Sequence, residues 1–328
     1  MSSYASQAVT LTAWETLSAE QVEQAAGLWN EAATPEFALS PRLIAYNLHT
    51  PSQGAVRVWL ATVQDELAGF VIANALHSSS LTLSATGWIS ALAVSPAYAR
   101  QGIGTALLQT AEQWLIEQDA YRLMLGGDLR ALLPGVPLAL NSTAFFARLG
   151  YGPTIYGDSD GIAWDLARDM SDYQTPASVI KIPGAVRAAQ SSEEGLLLDF
   201  LKREYPGRWY EEAAILLQEQ ARLSDWMLLW TERGVEGFCM ITFEDSIRPI
   251  ERFYPYELPR PWGHVGPVGI SHGLRGQGYG RALMDAALRR LHNSGIKGCV
   301  IDCAGLVDFY AQFGFERYHA YQQMHRMA

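Results

Sequence analysis

Hydrophobic and polar positions along this chain alternate with two different periods, and the periods take turns. Val58–Val63 and Leu67–Ala75 are runs rich in β-branched and apolar residues, separated by Gln64-Asp65-Glu66, which predicts two strands joined by a tight turn. Trp88–Val94 predicts a further strand. Directly after it the spacing becomes helical, with Ala106, Leu107, Ala111, Trp114 and Leu115 along one element. The same change recurs later. Trp226–Thr231 and Val235–Phe243 predict strands, Val265, Val268 and Ile270 supply a third, and then Leu283, Ala286, Ala287 and Leu291 recur at helical spacing with Arg281, Arg289 and Arg290 largely between them.

The flanks of the two series also correspond. In the first, Ala8–Trp14 opens as a strand, Ser18 with Gln21 resembles a capping box for a helix through Trp29, and Ser40-Pro41 starts a second helix. Strand Tyr121–Leu125, helix Ser142–Leu149 and strand Ile155–Leu166 follow the motif helix. In the second, Val179–Ala188 is the opening strand, Ser192–Arg203 and Tyr210–Leu223 are helices, and Gly298–Asp302, Gly305–Phe313 and Phe315–His325 close it as strand, helix and strand. Two proline- and glycine-bearing loops stand out. Asp128–Asn141 reads as a loop over the mouth of a site, and Glu244–Trp262 either covers a pocket or packs on the other domain. Arg168–Ser178, polar and aperiodic, reads as a linker between domains at 1–170 and 178–328.

Between each motif strand and its helix lies a glycine-rich turn: Arg275-Gly276-Gln277-Gly278-Tyr279-Gly280 in the second series, Gly102-Ile103-Gly104 in the first. Val94 aligns with Ile270, Gly102 with Gly278 and Gly104 with Gly280 at a constant offset of 176 residues, which makes this an internal repeat. The first N–H groups of a helix lack intrahelical partners and carry the positive end of its dipole, so bare backbone there can close around a phosphate. A dinucleotide fingerprint is excluded, because glycine would be needed at Arg281 or Leu283. A Walker loop is excluded by the absence of Gly-Lys-Ser/Thr.

Composition narrows the picture. The 328 residues suffice for two domains, and 49% hydrophobic with 18% charged residues describes ordinary globular cores. The formal net charge is −10, and residues 1–170 carry seven Arg and no Lys against fifteen acidic side chains. So acidic a chain, with no basic stripe, argues against a nucleic-acid partner and is easier to reconcile with a cationic or neutral small substrate. Cys239, Cys299 and Cys303 lack zinc-like spacing and read as free thiols, with Cys303 alternating with Ile301 and Cys299 as a core face would. No apolar run of membrane-spanning length occurs, and residues 1–10 lack a basic region followed by an apolar one, so no membrane association and a cytoplasmic location are expected.

Both glycine stretches resemble motif A of the GNAT (Gcn5-related) N-acetyltransferases, Gln/Arg-x-x-Gly-x-Gly/Ala. Arg275, Gly278 and Gly280 match it fully, whereas the first copy has Ala99 at the Gln/Arg position and Arg100 one residue late. The resemblance implies an α/β (α+β) fold of two tandem domains, each a mixed, mostly antiparallel sheet flanked by helices, with acetyl-CoA as cofactor. It implies cofactor contacts at Val268, Gly269, Ile270 and the turn Arg275, Gly276, Gln277, Gly278, Tyr279, Gly280 and Arg281. In the first copy the corresponding positions are Leu92, Ala93 and Val94, then Arg100, Gln101, Gly102, Ile103, Gly104 and Thr105. Asn141 stands where many family members have a CoA-contacting asparagine, and an ordinary helix cap accounts for it equally well.

The resemblance also implies chemistry. Family members carry a tyrosine acid in Phe/Leu-Tyr-x-x-x-Gly-Phe, which Phe309-Tyr310 through Gly314-Phe315 matches, so Tyr310 is the expected general acid. Phe146 holds that place in the first copy and cannot give a proton. His264, on the same strand face as Ile270, is the candidate base, with a purely structural histidine as the alternative and Asp302, Glu244 and Asp245 in reserve. Trp88 is its counterpart in the first copy. An acyl-cysteine route through Cys303 lacks an evident partner. The expected activity is acetyl transfer to a small-molecule amine in the C-terminal domain, beside a degenerate N-terminal one. A non-catalytic CoA sensor or scaffold, and transfer of a longer acyl group, stand as alternatives.

Overall fold

The computed structural model describes residues 9–49, 54–76, 85–155 and 160–328. Local signals set most elements. Ser18 accepts from the Gln21 amide at 3.2 Å while the Gln21 side chain accepts from the Ser18 amide at 2.9 Å, closing the capping box that starts α1 (Ala19–Ala32). β1 (Val9–Trp14) precedes it, and Ala8 of the expected strand lies outside the described residues. α2 (Pro41–Leu48) begins behind the Ser40 hydroxyl. Gln64 and Asp65 both take positive φ, which forms the tight turn between β2 (Gly54–Val63) and β3 (Glu66–Leu76). β4 (Thr86–Val94), α3 (Ile103–Glu117), β5 (Arg122–Leu125), the two-residue β6 (Val136–Pro137), α4 (Thr143–Arg148) and β7 (Gly152–Pro153) follow.

The second series comprises β8 (Ile162–Asp169), β9 (Ala185–Ala188), α5 (Glu194–Glu204), α6 (Arg208–Gln218), β10 (Trp226–Thr231), β11 (Gly234–Phe243) and β12 (Trp262–Ile270). Then come α7 (Tyr279–Asn293), β13 (Gly298–Ala304), α8 (Val307–Ala311), β14 (Glu316–Gln322) and β15 (Met324–Met327). Pro183 and Gly184 shorten the expected strand 179–188 to β9. No helix among the described residues is long and apolar enough to cross a membrane.

The strands form two mixed, mostly antiparallel sheets, with orders β1-β2-β3-β4-β5-β15-β7 and β6-β14-β8-β13-β12-β11-β10-β9. In the first, α3 buries Leu107, Leu108, Ala111 and Leu115 in one core with Val71, Ala73 and Leu123. In the second, α7 buries Leu283, Ala287, Leu288 and Leu291 with Ile241, Val265 and Cys299. Each such leucine contributes on the order of 2 kcal/mol by leaving water, so the two motif helices are anchored by the periodicity that predicts them.

Strand membership departs from the contiguous division at 170 and 178. The chain separates into two compact units: the described residues among 1–79, 83–162 and 321–328, and residues 163–320. The strand expected to close the first domain, 155–166, is β8, which pairs antiparallel with β13 from Leu166↔Ile301 to Asp169↔Gly298; residues 156–159 lie outside the described ones. The expected final strand 315–325 breaks at Gln323, and β15 pairs with β5 from Met324↔Leu125 to Met327↔Arg122. An edge strand is recognised by backbone groups and pleat, and in a duplicated chain two such edges look alike to local pattern. Nor is 168–178 a free linker. Arg168 and Asp169 end β8, Met170 and Tyr173 are buried, and the Tyr173 hydroxyl donates to Asp285 at 2.9 Å.

Candidate active site

Each unit contains a parallel strand pair that comes apart. In the first, β4 and β5 pair only from Thr86↔Arg122 to Ile89↔Leu125. The Ser95 amide donates to the Ala68 carbonyl at 2.9 Å, so by strand alternation Ala93 faces β3, while Leu92 and Val94 turn their N–H and C=O groups into the gap. A cavity of about 190 Å³ lies there, walled by the β4 edge from Ile89 to Val94 and by Trp29, Leu125, Val136 and Phe146. The Asp128–Asn141 loop contributes to its wall through Leu133, Val136 and Leu140.

In the second unit β12 and β13 pair from Trp262↔Gly298 to His264↔Val300 and then separate. Ser271 donates to Glu236 at 2.8 Å, so Gly269 faces β11, and Val268 and Ile270 face the gap. Here the edge is partly covered. Tyr205, the C-cap of α5, lies against Gly269, where a Cβ would come within 2.6 Å of its ring, and its hydroxyl donates to the Ile270 carbonyl at 2.7 Å.

Beyond each gap the glycine turn is built the same way. Gly102 has φ 88° and ψ −8°, and Gly278 has φ 88° and ψ −11°, both left-handed N-caps that favour glycine. Ala106 donates to Gly102 O at 3.0 Å and Ala282 to Gly278 O at 3.1 Å, so the amides of Ile103, Gly104 and Thr105, and of Tyr279, Gly280 and Arg281, precede the first intrahelical bond. These amides and the helix dipole suit a pyrophosphate. The Arg275, Gly276, Gln277, Arg100 and Gln101 positions are exposed around the turns. Gln277 bonds Gly273 O at 2.8 Å and Arg281 bonds Gln312 at 2.8 Å. Asn141 is turned elsewhere: it has φ 52°, is exposed, and its amide donates to Ala139 O at 3.2 Å.

The chemistry-bearing side chains differ between units. His264 has 0% side-chain exposure, stacks on Phe253 with ring centroids 3.4 Å apart, and its Nε2 lies 2.7 Å from Asp302 Oδ1. Its Nδ1 lies 3.3 Å from Arg248 Nη2. A guanidinium only donates, so Nδ1 accepts and the ring proton sits on Nε2, donated to Asp302. Burial pushes the His264 pKa down to about 4, against the pull of Asp302. Both nitrogens of this neutral ring are thus engaged, a geometry that suits holding Asp302 and not accepting a proton from a ligand. Arg248 also bonds Glu212 at 3.0 Å, Thr242 at 3.0 Å and Gly266 O at 3.0 Å, and Arg252 bonds Glu212 at 3.2 Å. The Glu244–Trp262 loop therefore supplies Arg248, Arg252 and Phe253 beneath His264.

Tyr310, on α8, is half-buried between Phe309 and the second core, and burial, with Cys239 and Asp302 adding to it, raises its pKa. Its counterpart Phe146 lines the first unit's cavity, and Trp88, the counterpart of His264, is buried. Two reserve candidates are committed to ion pairs: Glu244 to Arg260 at 2.8 Å and Asp245 to Arg222 at 2.6 Å. Cys303 does not continue the buried face of Cys299 and Ile301. β13 bulges after Ile301, Cys303 takes φ 49°, and its amide donates to Asp165 at 2.9 Å. Sequence pattern also left unseen a buried polar cluster in the first unit, where Asn74 donates to Ser90 at 2.6 Å, Ser90 to Asp128, and the Arg130 amide to Asp128 at 2.8 Å. Asn47 joins it by donating to the Arg130 carbonyl at 3.0 Å, so its members are spread from Asn47 to Arg130 with no common motif.

The sequence profile of the acetyltransferase (GNAT) family matches residues 14–151 and 196–315. A mycothiol acetyltransferase of Nocardia farcinica (strain IFM 10152) is 27% identical over 292 residues, 81% of each chain. Among solved structures, a GCN5-related glucosamine N-acetyltransferase region of a fungal multi-domain GH3 β-N-acetylglucosaminidase superposes with a TM-score of 0.83 at 22% identity, covering 97% of this chain and 38% of that one. A tandem GNAT protein from the clavulanic acid biosynthesis pathway gives 0.68 at 15% identity, with 98% of both chains covered. Two forks, two glycine turns and a two-region profile match agree: the chain belongs to the GNAT acetyltransferase family, in its tandem two-domain form, and is by class an N-acetyltransferase.

Proposed function

We propose that the chain transfers acetyl from acetyl-CoA to the amine of a small molecule, that this reaction takes place in the second unit, and that Tyr310 is the proton donor. The observation that carries this is the asymmetry of the two forks: Tyr310 and the His264–Asp302 pair belong to the second, whereas Phe146 and Trp88, neither able to exchange a proton at neutral pH, stand at the places of Tyr310 and His264 in the first. Acetyl-CoA, when bound, supplies the activated acyl group. The amides of Tyr279, Gly280 and Arg281 would take its pyrophosphate, and the Val268 and Ile270 edge groups its amide-bearing arm. Burial raises the Tyr310 pKa and keeps the hydroxyl protonated at neutral pH. The ammonium first loses one proton to water, the C–N bond forms as the C–S bond breaks, Tyr310 gives its proton to the departing sulfur, and the proton shed by the acylated nitrogen restores the hydroxyl. Of the two relatives named for acetyl transfer, one is named for glucosamine, which supports a small-molecule acceptor.

The test is thiol release by the purified chain with acetyl-CoA and a panel of primary amines that includes glucosamine. Turnover with at least one amine is expected. CoA binding without thiol release from any of them would instead favour a non-catalytic sensor, and faster turnover with succinyl-CoA or longer thioesters would reassign the acyl group. The open cavity at the first fork favours one addition: that unit also holds acetyl-CoA, without turning it over. Calorimetric titration giving two CoA per chain supports the addition, and one per chain removes it.

A further inference from the structure

We infer that the Asp302 carboxylate is the group that receives the acceptor as an ammonium ion, and that His264 and Asp165 are positioning residues that hold it at the fork. This rests on the proposed transferase function and specifies its substrate class: an amine that arrives as a cation.

The place of the carboxylate is the first ground. β12 and β13 separate just after His264↔Val300, and Gly266 is the first glycine beyond that point. A Cβ on Gly266 would lie 3.5 Å from Asp302 Oδ1, so the carboxylate stands directly across the opening of the fork. Its exposure is the second. In the cluster beneath, side-chain exposure is 0% for His264, 3% for Arg248 and 8% for Glu212, whereas Asp302 is 29% exposed. Glu212 is matched by two arginines; Asp302 Oδ1 accepts from a neutral imidazole, and Oδ2 has no hydrogen-bond partner among the described residues. An ionised oxygen left open on one side is an acceptor awaiting a donor.

The third ground is how the backbone is arranged to put it there. The bulge after Ile301 gives Cys303 a left-handed φ of 49°, a conformation uncommon outside glycine, and the Asp165 carboxylate holds it by accepting the Cys303 amide at 2.9 Å. Burial raises the Asp302 pKa, but His264, its hydrogen bond, Arg252 and Arg248 outweigh this and keep the carboxylate ionised at neutral pH. Ionised and weakly basic, it binds a cation better than it removes a proton, so recognition is its role.

The test uses the full chain with CoA present and calorimetric binding of matched pairs that exchange an amino group for a hydroxyl: glucosamine against glucose, and tyramine against 4-(2-hydroxyethyl)phenol. In at least one pair the amine binds about 10-fold tighter than the alcohol, as expected for a charge-assisted bond. Asp302→Asn brings the two within about twofold while CoA affinity holds. A wild-type chain with no amine preference in either pair overturns the inference, whether or not the variant folds. So does an Asp302→Asn chain that binds CoA and keeps the full preference. Asp165→Asn, which leaves the Asp302 charge in place but releases the bulge, raises the amine KM several-fold with kcat and the acetyl-CoA KM unchanged; a variant with unchanged amine KM removes Asp165 from the positioning role. Amine-selective binding without thiol release from acetyl-CoA would sink the transferase function and leave Asp302 as a cation-recognising group.

Discussion

The two units hold the same backbone machine and different side chains on it. Both have a parallel strand pair that separates, a glycine turn with φ 88° at its N-cap, and a 15-residue helix behind it. What changes is who stands at the fork: Phe146 lining an open cavity and Trp88 buried on β4 in the first, Tyr310, His264 and Asp302 in the second, where Tyr205 covers the strand edge. Holding a phosphate is a property of main-chain amides and survives side-chain drift. Moving a proton, the role proposed for Tyr310, is a property of one hydroxyl and does not.

The largest expected effect follows from that hydroxyl. Tyr310→Phe, which makes the second fork resemble the first, lowers kcat roughly 10³-fold with the acetyl-CoA KM within about twofold, since positioned proton donors typically supply two to four decades. An unchanged kcat would end the catalytic distinction between the units. Activity of the first unit is measured in the full chain carrying this variant, because a fragment without β15 would leave the β5 edge bare.

His264 gives the next effect. Its folded pKa of about 4 lies below the ordinary histidine value of 6.5, so the unfolded chain takes up the proton first as pH falls. Above pH 6.5 both states are neutral and nothing is lost; between pH 6.5 and 4 this group withdraws stability, in total on the order of 3 kcal/mol. Trp88 imposes no such dependence on the first unit. Urea midpoints at pH 7.5, 6 and 4.5 should fall more steeply for the wild type than for His264→Gln, and parallel slopes would mean that the folded ring titrates as it does in the unfolded chain.

The glycine turns and motif helices were legible because their signals are local: a 3.6-residue period, two glycines, a constant offset of 176. The partners of β8 and β15 were not. Their own residues specify strand, and the choice between β5 and β13 depends on edges that a duplication makes alike. The Asp302 site was legible only in fragments, since Arg248 lies 16 residues from His264, Asp302 lies 38 from it, and Asp165 reaches Cys303 across 138. Strand alternation put Cys303 on the core face because a bulge is invisible to a two-residue period.

The smallest effect probes the turns themselves. Arg100, with φ 63°, occupies the left-handed slot that Gly276 fills with φ 77° in the second copy. A Cβ at Gly276 meets nothing within 4 Å, so Gly276→Arg carries only the conformational penalty, about 1 kcal/mol, or a shift of about 2–4 °C in the unfolding midpoint of a unit this size. Arg100→Gly relieves the same penalty but loosens the unfolded chain, so its net change stays within about 0.5 kcal/mol. If Arg100→Gly instead weakens CoA binding at the first fork, the side chain itself reaches the phosphates, and the strained arginine is the first copy's substitute for the Arg275 that it lacks at Ala99. Equal CoA affinity in both chains would leave the first cradle to its backbone amides alone.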